Sequence, residues 1–352
     1  MKNKLTVLLI AVTLISTLFV FTGCGSSSKG EVYVYSYGDY FDPNLAADFE
    51  KRTGIKVIVD NYDTAEEMYT VMENNATSYD CICTSDYMIG KMISHDMLSE
   101  INYDNITNIE NIDDIYMSKS EEFDPGNKFS VPYMVGSAGI LYDPEQVGDI
   151  KIDSWDALWN KRFNNKIVMP DSMRDAFMIS LKKQGYSANS TNENEIKAAA
   201  GELIKQKTMV YKYANDSARD LLADGSATIG VVWNGEYVYT KSLNEKIKFT
   251  IPKEGTEFFV DSWVIPKDAK NKENAEKWID FLTDAKIAAK NFEYLNYTTP
   301  NKAALEYIDE EYKKDSAIFP SEEEIKKFEL LKTLDNDSTD LYSKYWKKVK
   351  AK

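Results

Sequence analysis

Strand-like and helix-like segments alternate along most of this chain, and that alternation restricts the folds open to it. Glu31–Ser36 has the pattern of a strand, and Pro43–Thr53 that of a helix with proline at its start and Gly54 at its stop. Ile55–Tyr62 is a second strand, and Thr64-Ala-Glu-Glu67 is a capping-box signature opening a helix to about Asn75. Tyr79–Ser85 is a third strand, with a helix following through Met97. Repetition of this kind implies a parallel sheet covered by helices on both faces. The pattern restarts past Ser137. Gly139–Tyr142, Lys166–Met169, Met209–Tyr213 and Ala227–Trp233 have strand character, separated by helices such as Ser172–Lys183 and Glu193–Lys207. Val260–Ile265 then leads into a long amphipathic helix predicted over Lys272–Leu295, and Ser321-Glu-Glu-Glu324 is a second capping box.

The N-terminus says where this fold works. Lys2 and Lys4 precede an apolar run from Leu5 to Phe21, and Phe21-Thr-Gly-Cys24 stands before a small, polar Gly-Ser-Ser-Ser stretch. Charged start, apolar centre and small residues before a cut are the layout of a secretory signal peptide. A cysteine just after the cut resembles a bacterial lipobox, which implies acylation of Cys24. Residues 1–23 are then the signal peptide and 24–30 a lipid-anchored tether. The competing reading is an uncleaved anchor, because the run is close to the roughly 20 residues that span a bilayer. In both cases the folded part lies on the extracytoplasmic face of a bacterial membrane, periplasmic or at the cell surface.

The remaining 352 − 23 = 329 residues exceed what one core usually holds, so two lobes are expected. Formal charge is −15, and loss of Lys2 and Lys4 takes it to −15 − 2 = −17. That field repels nucleic acid and attracts cations. Cys81 and Cys83 lie two apart in a strand-like run, on one strand face, and read as small buried hydrophobes. The single histidine, His95, has no nucleophile motif near it, and the chain carries no Walker loop, Gly-x-Gly-x-x-Gly or His-Glu-x-x-His. Asp335-Asn-Asp-Ser-Thr-Asp340 lacks the central glycine and terminal glutamate of a calcium loop. No catalytic residues, cofactor or metal are expected, and the chain is read as a non-enzyme.

Ligands of parallel sheets bind beyond the carboxyl ends of the strands. Tyr37-Gly-Asp-Tyr40, Ser85-Asp-Tyr87, Asp171-Ser-Met-Arg-Asp175 and Trp233-Asn-Gly-Glu236 all occupy such positions, and each carries an aromatic or an acid. Taken singly they are ordinary surface aromatics and caps. Together they line a cleft with π faces and carboxylates, the means of holding an organic cation.

These segments resemble those of the polyamine (spermidine/putrescine) substrate-binding proteins of ABC importers. The resemblance runs in order through Tyr35-Ser-Tyr-Gly-Asp-Tyr40, Ser85-Asp-Tyr87, Ser130-Val-Pro-Tyr133, Trp155-Asp-Ala-Leu-Trp159, Arg174-Asp175 and Trp233-Asn-Gly235. It continues through Pro252-Lys-Glu-Gly255, Val260-Asp-Ser262, Ile265-Pro266 and Tyr297-x-Thr-Pro-Asn301. It implies a two-lobed α/β fold of the periplasmic-binding-protein type II, each lobe a mainly parallel sheet flanked by helices, with a hinge between. The implied division gives 31–136 plus 262–320 to lobe 1 and 137–261 plus 321–352 to lobe 2. Implied ligand-binding residues are Tyr37, Asp39, Tyr40, Ser85, Tyr87, Ser172, Asp175, Trp233, Phe259, Asp261 and Tyr297, with Asp261 gripping a central amine. Implied partners are a putrescine- or spermidine-like polyamine and the permease subunits in the membrane, with the receptor itself a monomer.

The departures concern ligand size. Tyr37 and Phe259 stand where the family often has tryptophan, Ser172 where it tends to have an acid, and Leu331 or Lys332 where it has a glutamine. Another small cationic or amino-acid-like solute on the same fold therefore remains an alternative. From a different class, so does a lipid-anchored surface enzyme acting on polysaccharide.

Overall fold

The computed structural model describes residues 30–74, 77–215, 217–326 and 328–351. Residues 1–29, with the expected signal peptide, Cys24 and nearly all of the tether, lie outside the described residues.

Among the described residues, ten strands make one continuous sheet. β1 (Glu31–Tyr37), β2 (Lys56–Tyr62) and β3 (Cys81–Thr84) form a parallel set with β1 in the middle. β4 (Ser130–Tyr142) follows, and β5 (Ile167–Met169), β6 (Val210–Tyr213) and β7 (Ile229–Trp233) form a second parallel set around β5. β8 (Lys248–Thr250) edges β4, while β9 (Glu257–Val264) joins the sets, antiparallel to β3 and to β4. The two-residue β10 (Glu329–Leu330) extends the start of β9. The strand order β2-β1-β3-β9-β4-β7-β5-β6 therefore holds two parallel α/β units, joined by the antiparallel pair β4 and β9.

β4 is the device that links them. Its first half, Ser130–Ser137, pairs with β9, and its second half, Ala138–Tyr142, pairs with β7. The sequence pattern places a strand only at Gly139–Tyr142, whereas β4 begins at Ser130 and runs through Pro132, a residue disfavoured in central strands. The register shifts between Pro132 and Met134, and this bulge accommodates the proline. A second difference is the helix expected over Lys272–Leu295, which is two helices, Lys272–Leu282 and Ala285–Leu295. Asp284 breaks it: its backbone is extended and its carboxylate accepts from Lys286 N and Ile287 N at 3.0 and 3.1 Å. An aspartate that caps a new helix outcompetes continuation of the old one.

Local signals otherwise act as read. Gly54 closes its helix in the left-handed region at φ 76°, and Thr64 accepts from Glu67 N. Ser321 and Glu324 form a reciprocal box. Cys81 and Cys83 are buried free thiols.

Apolar packing divides on either side of the β4–β9 link. Val32, Leu45, Phe49, Trp263 and Trp278 form one core, and Trp155, Phe177, Leu203, Ile229 and Tyr342 another. Phe292, Ala304 and Ile318 join Leu141, Val168, Leu222 and Val232 in a third cluster, so the segment after Asp284 packs on the second parallel set.

Candidate functional site

The site forms where the carboxyl ends of β1, β3 and β7 face the middle of β9. Beyond β1 the chain turns through Gly38 and Asp39, the latter at φ 49°, and this brings Tyr37 and Tyr40 together at 5.3 Å between ring centroids. The Tyr37 hydroxyl bonds the Ser85 hydroxyl at 2.8 Å, and Ser85 precedes the helix Asp86–Ser94. The Tyr40 hydroxyl donates to the Asp261 carboxylate. Tyr297 extends the wall, its ring 6.1 Å from Tyr40 and 6.2 Å from Phe259. It follows Asn296, which ends its helix at φ 62°. A Cβ on Gly235 would lie 2.5 Å from the Tyr297 ring, so only glycine permits that approach.

Carboxylates face these rings. Asp261 is 7% exposed and burial pushes its pKa up to about 7, even with the Tyr40 bond favouring the ion. Asp86, 2% exposed, opens its helix and accepts from Tyr87 N at 2.6 Å and Val260 N at 3.3 Å. Burial, and then the neighbouring Asp261, raise its pKa well above the ordinary range. Glu257, 3% exposed, accepts from Trp233 Nε1 at 3.1 Å. Burial raises it as well, and the Asp175 carboxylate beside it adds to the effect. Glu236 is the compensated member, taking Arg219 Nη1 and the Tyr297 hydroxyl, each at 2.9 Å. Acids buried next to acids with neutral donors are costly, and an incoming cation removes that cost.

Most of the expected residues meet here, and the rest lie at the margin. Tyr37, Tyr40, Ser85, Phe259, Asp261 and Tyr297 form one group; Trp233 and Asp175 gather around Glu257. Ser172 caps the helix Met173–Lys183, its hydroxyl accepting from Asp175 N at 3.5 Å. Tyr87 turns its hydroxyl to Glu66 Oε1 at 3.1 Å, while its carbonyl accepts from Thr333. Asp39 is exposed on the turn. Leu331 is buried in a core and Lys332 is exposed, its carbonyl accepting from Arg174 at 2.8 Å.

Three acids in the site, Asp86, Glu236 and Glu257, are absent from the sequence-derived candidates. Asp86 sits inside the Ser85-Asp-Tyr87 segment. Glu257 stands two and four residues before Phe259 and Asp261, the spacing that puts all three on one strand face, and this was the signal available. Among the described residues no cluster of His, Cys, Asp or Glu could hold a metal ion, and no helix is long and apolar enough to cross a membrane.

Comparison with known proteins agrees with this geometry. Residues 44–320 match the model of the bacterial extracellular solute-binding protein family. The spermidine/putrescine-binding periplasmic protein of Salmonella typhimurium is 34% identical over 327 residues, 93% of each chain. The putrescine-binding periplasmic protein SpuD of Pseudomonas aeruginosa is 29% identical over 360 residues, 97% of each. The structure of the spermidine/putrescine ABC transporter substrate-binding protein from Streptococcus pneumoniae superposes with a TM-score of 0.82 at 34% identity, covering 92% of this chain and 99% of that one. The chain belongs to the bacterial extracellular solute-binding proteins and, within them, to the spermidine/putrescine-binding family.

Proposed function

We propose that this protein captures a polyamine of the putrescine/spermidine kind outside the cytoplasmic membrane and delivers it to an ABC permease. One observation carries the reading: Asp86, Glu257 and Asp261 are buried together at the ends of the strands, each pushed toward its neutral form, with the Tyr40 hydroxyl on Asp261 and the Trp233 indole on Glu257. An alkyl chain bearing ammonium groups complements that surface. The rings cover its methylenes and attract its charge, each by about 0.5–2 kcal/mol, and the carboxylates supply charge-assisted hydrogen bonds. Asp261 is the central anchor, Tyr37, Tyr40 and Tyr297 flank the chain, and Trp233 stacks on it.

Binding closes the two lobes. The division runs through β4 and β9, with Asp261 and Tyr40 meeting across the cleft, and the ligand's preference for the closed form sets the extent of closure. Lipid on Cys24 tethers the receptor, as a monomer, beside its permease.

A thermal-shift panel of putrescine, spermidine, spermine, amino acids and glycans tests the function, since a ligand stabilises the state that binds it. Polyamines alone raise the melting temperature on this reading. Stabilisation by glycans or neutral amino acids without polyamines would overturn it. Metabolic labelling with a fatty acid tests the anchor: label is lost in Cys24→Ala, and a labelled variant contradicts the tether.

A further inference from the structure

Glu257 is a buried acid for which the fold supplies one hydrogen-bond donor, the Trp233 indole. Its Oε1 takes the Trp233 indole N–H at 3.1 Å, whereas its Oε2 has no hydrogen-bond partner. Strand alternation turns it to the face of β9 that carries Phe259 and Asp261. The Asp175 carboxyl lies within hydrogen-bonding reach, acid against acid, and Asp86 is near enough to disfavour ionisation further. The nearby cations are engaged elsewhere. Arg174 spends its Nη groups on Lys332 O at 2.8 Å and Asn189 Oδ1 at 3.0 Å, and its Nε is buried without a hydrogen-bond partner; its charge is felt by Asp86, while Lys182 pairs with Glu329. Ser172, at the cap of the same helix as Asp175, contributes no charge. A carboxylate at 3% exposure with a free oxygen and acidic neighbours lacks one partner, a cation.

Spacing says how long that cation's molecule is. Four residues of strand at about 3.3 Å each place Glu257 roughly 13 Å from Asp261 along β9. An extended chain advances about 1.2 Å per bond, so the five bonds of putrescine span roughly 6 Å and the nine of spermidine roughly 11 Å. Adding about 2.8 Å of ammonium–carboxylate contact at each end gives roughly 12 Å for putrescine and 17 Å for spermidine. With a terminal ammonium on Asp261, putrescine falls about 1 Å short even when fully extended, whereas spermidine spans both acids with about 4 Å to spare, its methylenes passing Phe259.

We propose that Glu257 is a specificity-determining residue: with Asp175 and the Trp233 indole it forms a second amine subsite, at the end of the cleft remote from Asp261, which selects a spermidine-length polyamine over a diamine. The proposal rests on the polyamine reading above and adds to it the second anchor and the ligand's length.

Calorimetric titration of spermidine and putrescine into the wild type, Glu257→Gln and Glu257→Met tests it. The wild type binds spermidine about tenfold more tightly or better. Both variants lose roughly 30-fold for spermidine and less than about threefold for putrescine, which narrows the ratio. Their unliganded melting temperatures hold or rise, because a buried acid with too few donors is gone. Equal weakening of both ligands, or of neither, overturns the subsite. Loss of the folded state in both variants overturns it too, by making Glu257 a structural acid. A wild type that binds no polyamine brings down the underlying reading as well, whereas a wild type that binds, with the ratio unchanged in both variants, sinks Glu257 alone.

Discussion

Asp124 and Asp261 are both buried aspartates, yet their surroundings are opposite. Asp124 has no exposed surface and is saturated: Lys128 N donates to Oδ1 at 3.1 Å, while Phe129 N, Ser130 N and the Ser130 hydroxyl donate to Oδ2 at 2.8–2.9 Å. It holds the start of β4. Glu276 is similar, with Asn102 N at 3.0 Å, Asn105 Nδ2 at 2.6 Å and Lys272 Nζ at 3.8 Å. Asp261 has the Tyr40 hydroxyl as its side-chain donor, and Glu257 has one indole N–H and an unpartnered oxygen. Burial alone thus fails to distinguish a structural acid from a binding one. The donor supply does: where the fold provides it, the charge belongs to the scaffold, and where the fold withholds it, the charge awaits a ligand.

Substitutions should separate the two kinds of acid. The largest effect is expected from Asp124→Ala, which strands three backbone N–H groups in the interior and costs roughly 3–5 kcal/mol of stability. Denaturant unfolding should show that loss while polyamine affinity of the folded fraction stays within about twofold. Asp261→Ala should behave in reverse, losing about 2–5 kcal/mol of binding, roughly 30- to several-thousand-fold in Kd, by calorimetry. Its unliganded melting temperature should hold or rise. A destabilised Asp261 variant with intact affinity would break the comparison.

A pH effect comes next. The folded-state pKa of Asp261, about 7, lies above the ordinary carboxylate value. Its neutral form therefore contributes stability to the unliganded protein that is fully present below that ordinary value and is lost as pH rises through about 7. An amine needs the ionised form, so affinity should fall by about tenfold per pH unit below 7 while the ligand stays protonated. A flat profile between pH 5.5 and 8 would remove Asp261 from the electrostatic account. The smallest effect is expected from Tyr37→Phe, which keeps the ring and deletes the 2.8 Å bond to Ser85. About 0.5–1.5 kcal/mol of binding should be lost, and a larger loss would mean that the hydroxyl itself contacts ligand.

The elements with local signals were legible in the sequence. Pro43 with Gly54, Thr64 with Glu67 and Ser321 with Glu324 mark helix ends by short-range hydrogen bonds and backbone conformation, and the loops bearing Tyr37, Ser85 and Trp233 follow from strand–helix alternation. What depended on distant partners was hidden. The first half of β4 is a strand because β9 lies beside it, and the bulge that tolerates Pro132 exists only in that pairing. Asp284 could be seen as a cap only by giving up a strongly amphipathic pattern that runs through it. In the site, Asp261 drew notice because it stands among apolar residues, whereas Glu257 follows Lys253-Glu-Gly-Thr256 and looks like part of a polar loop. It is buried, and its neighbours Trp233 and Asp175 are remote in sequence.

The central claim is that the cleft acids hold protons until ammonium groups replace them. Calorimetry of spermidine binding at pH 6.5 in two buffers of different ionisation heat tests this most directly, since the difference in apparent enthalpy counts the protons exchanged. Net proton release is predicted, reduced in Asp261→Asn and in Glu257→Gln. Tight binding with no proton exchange would contradict the account, because it would mean that these carboxylates were already ionised and already satisfied.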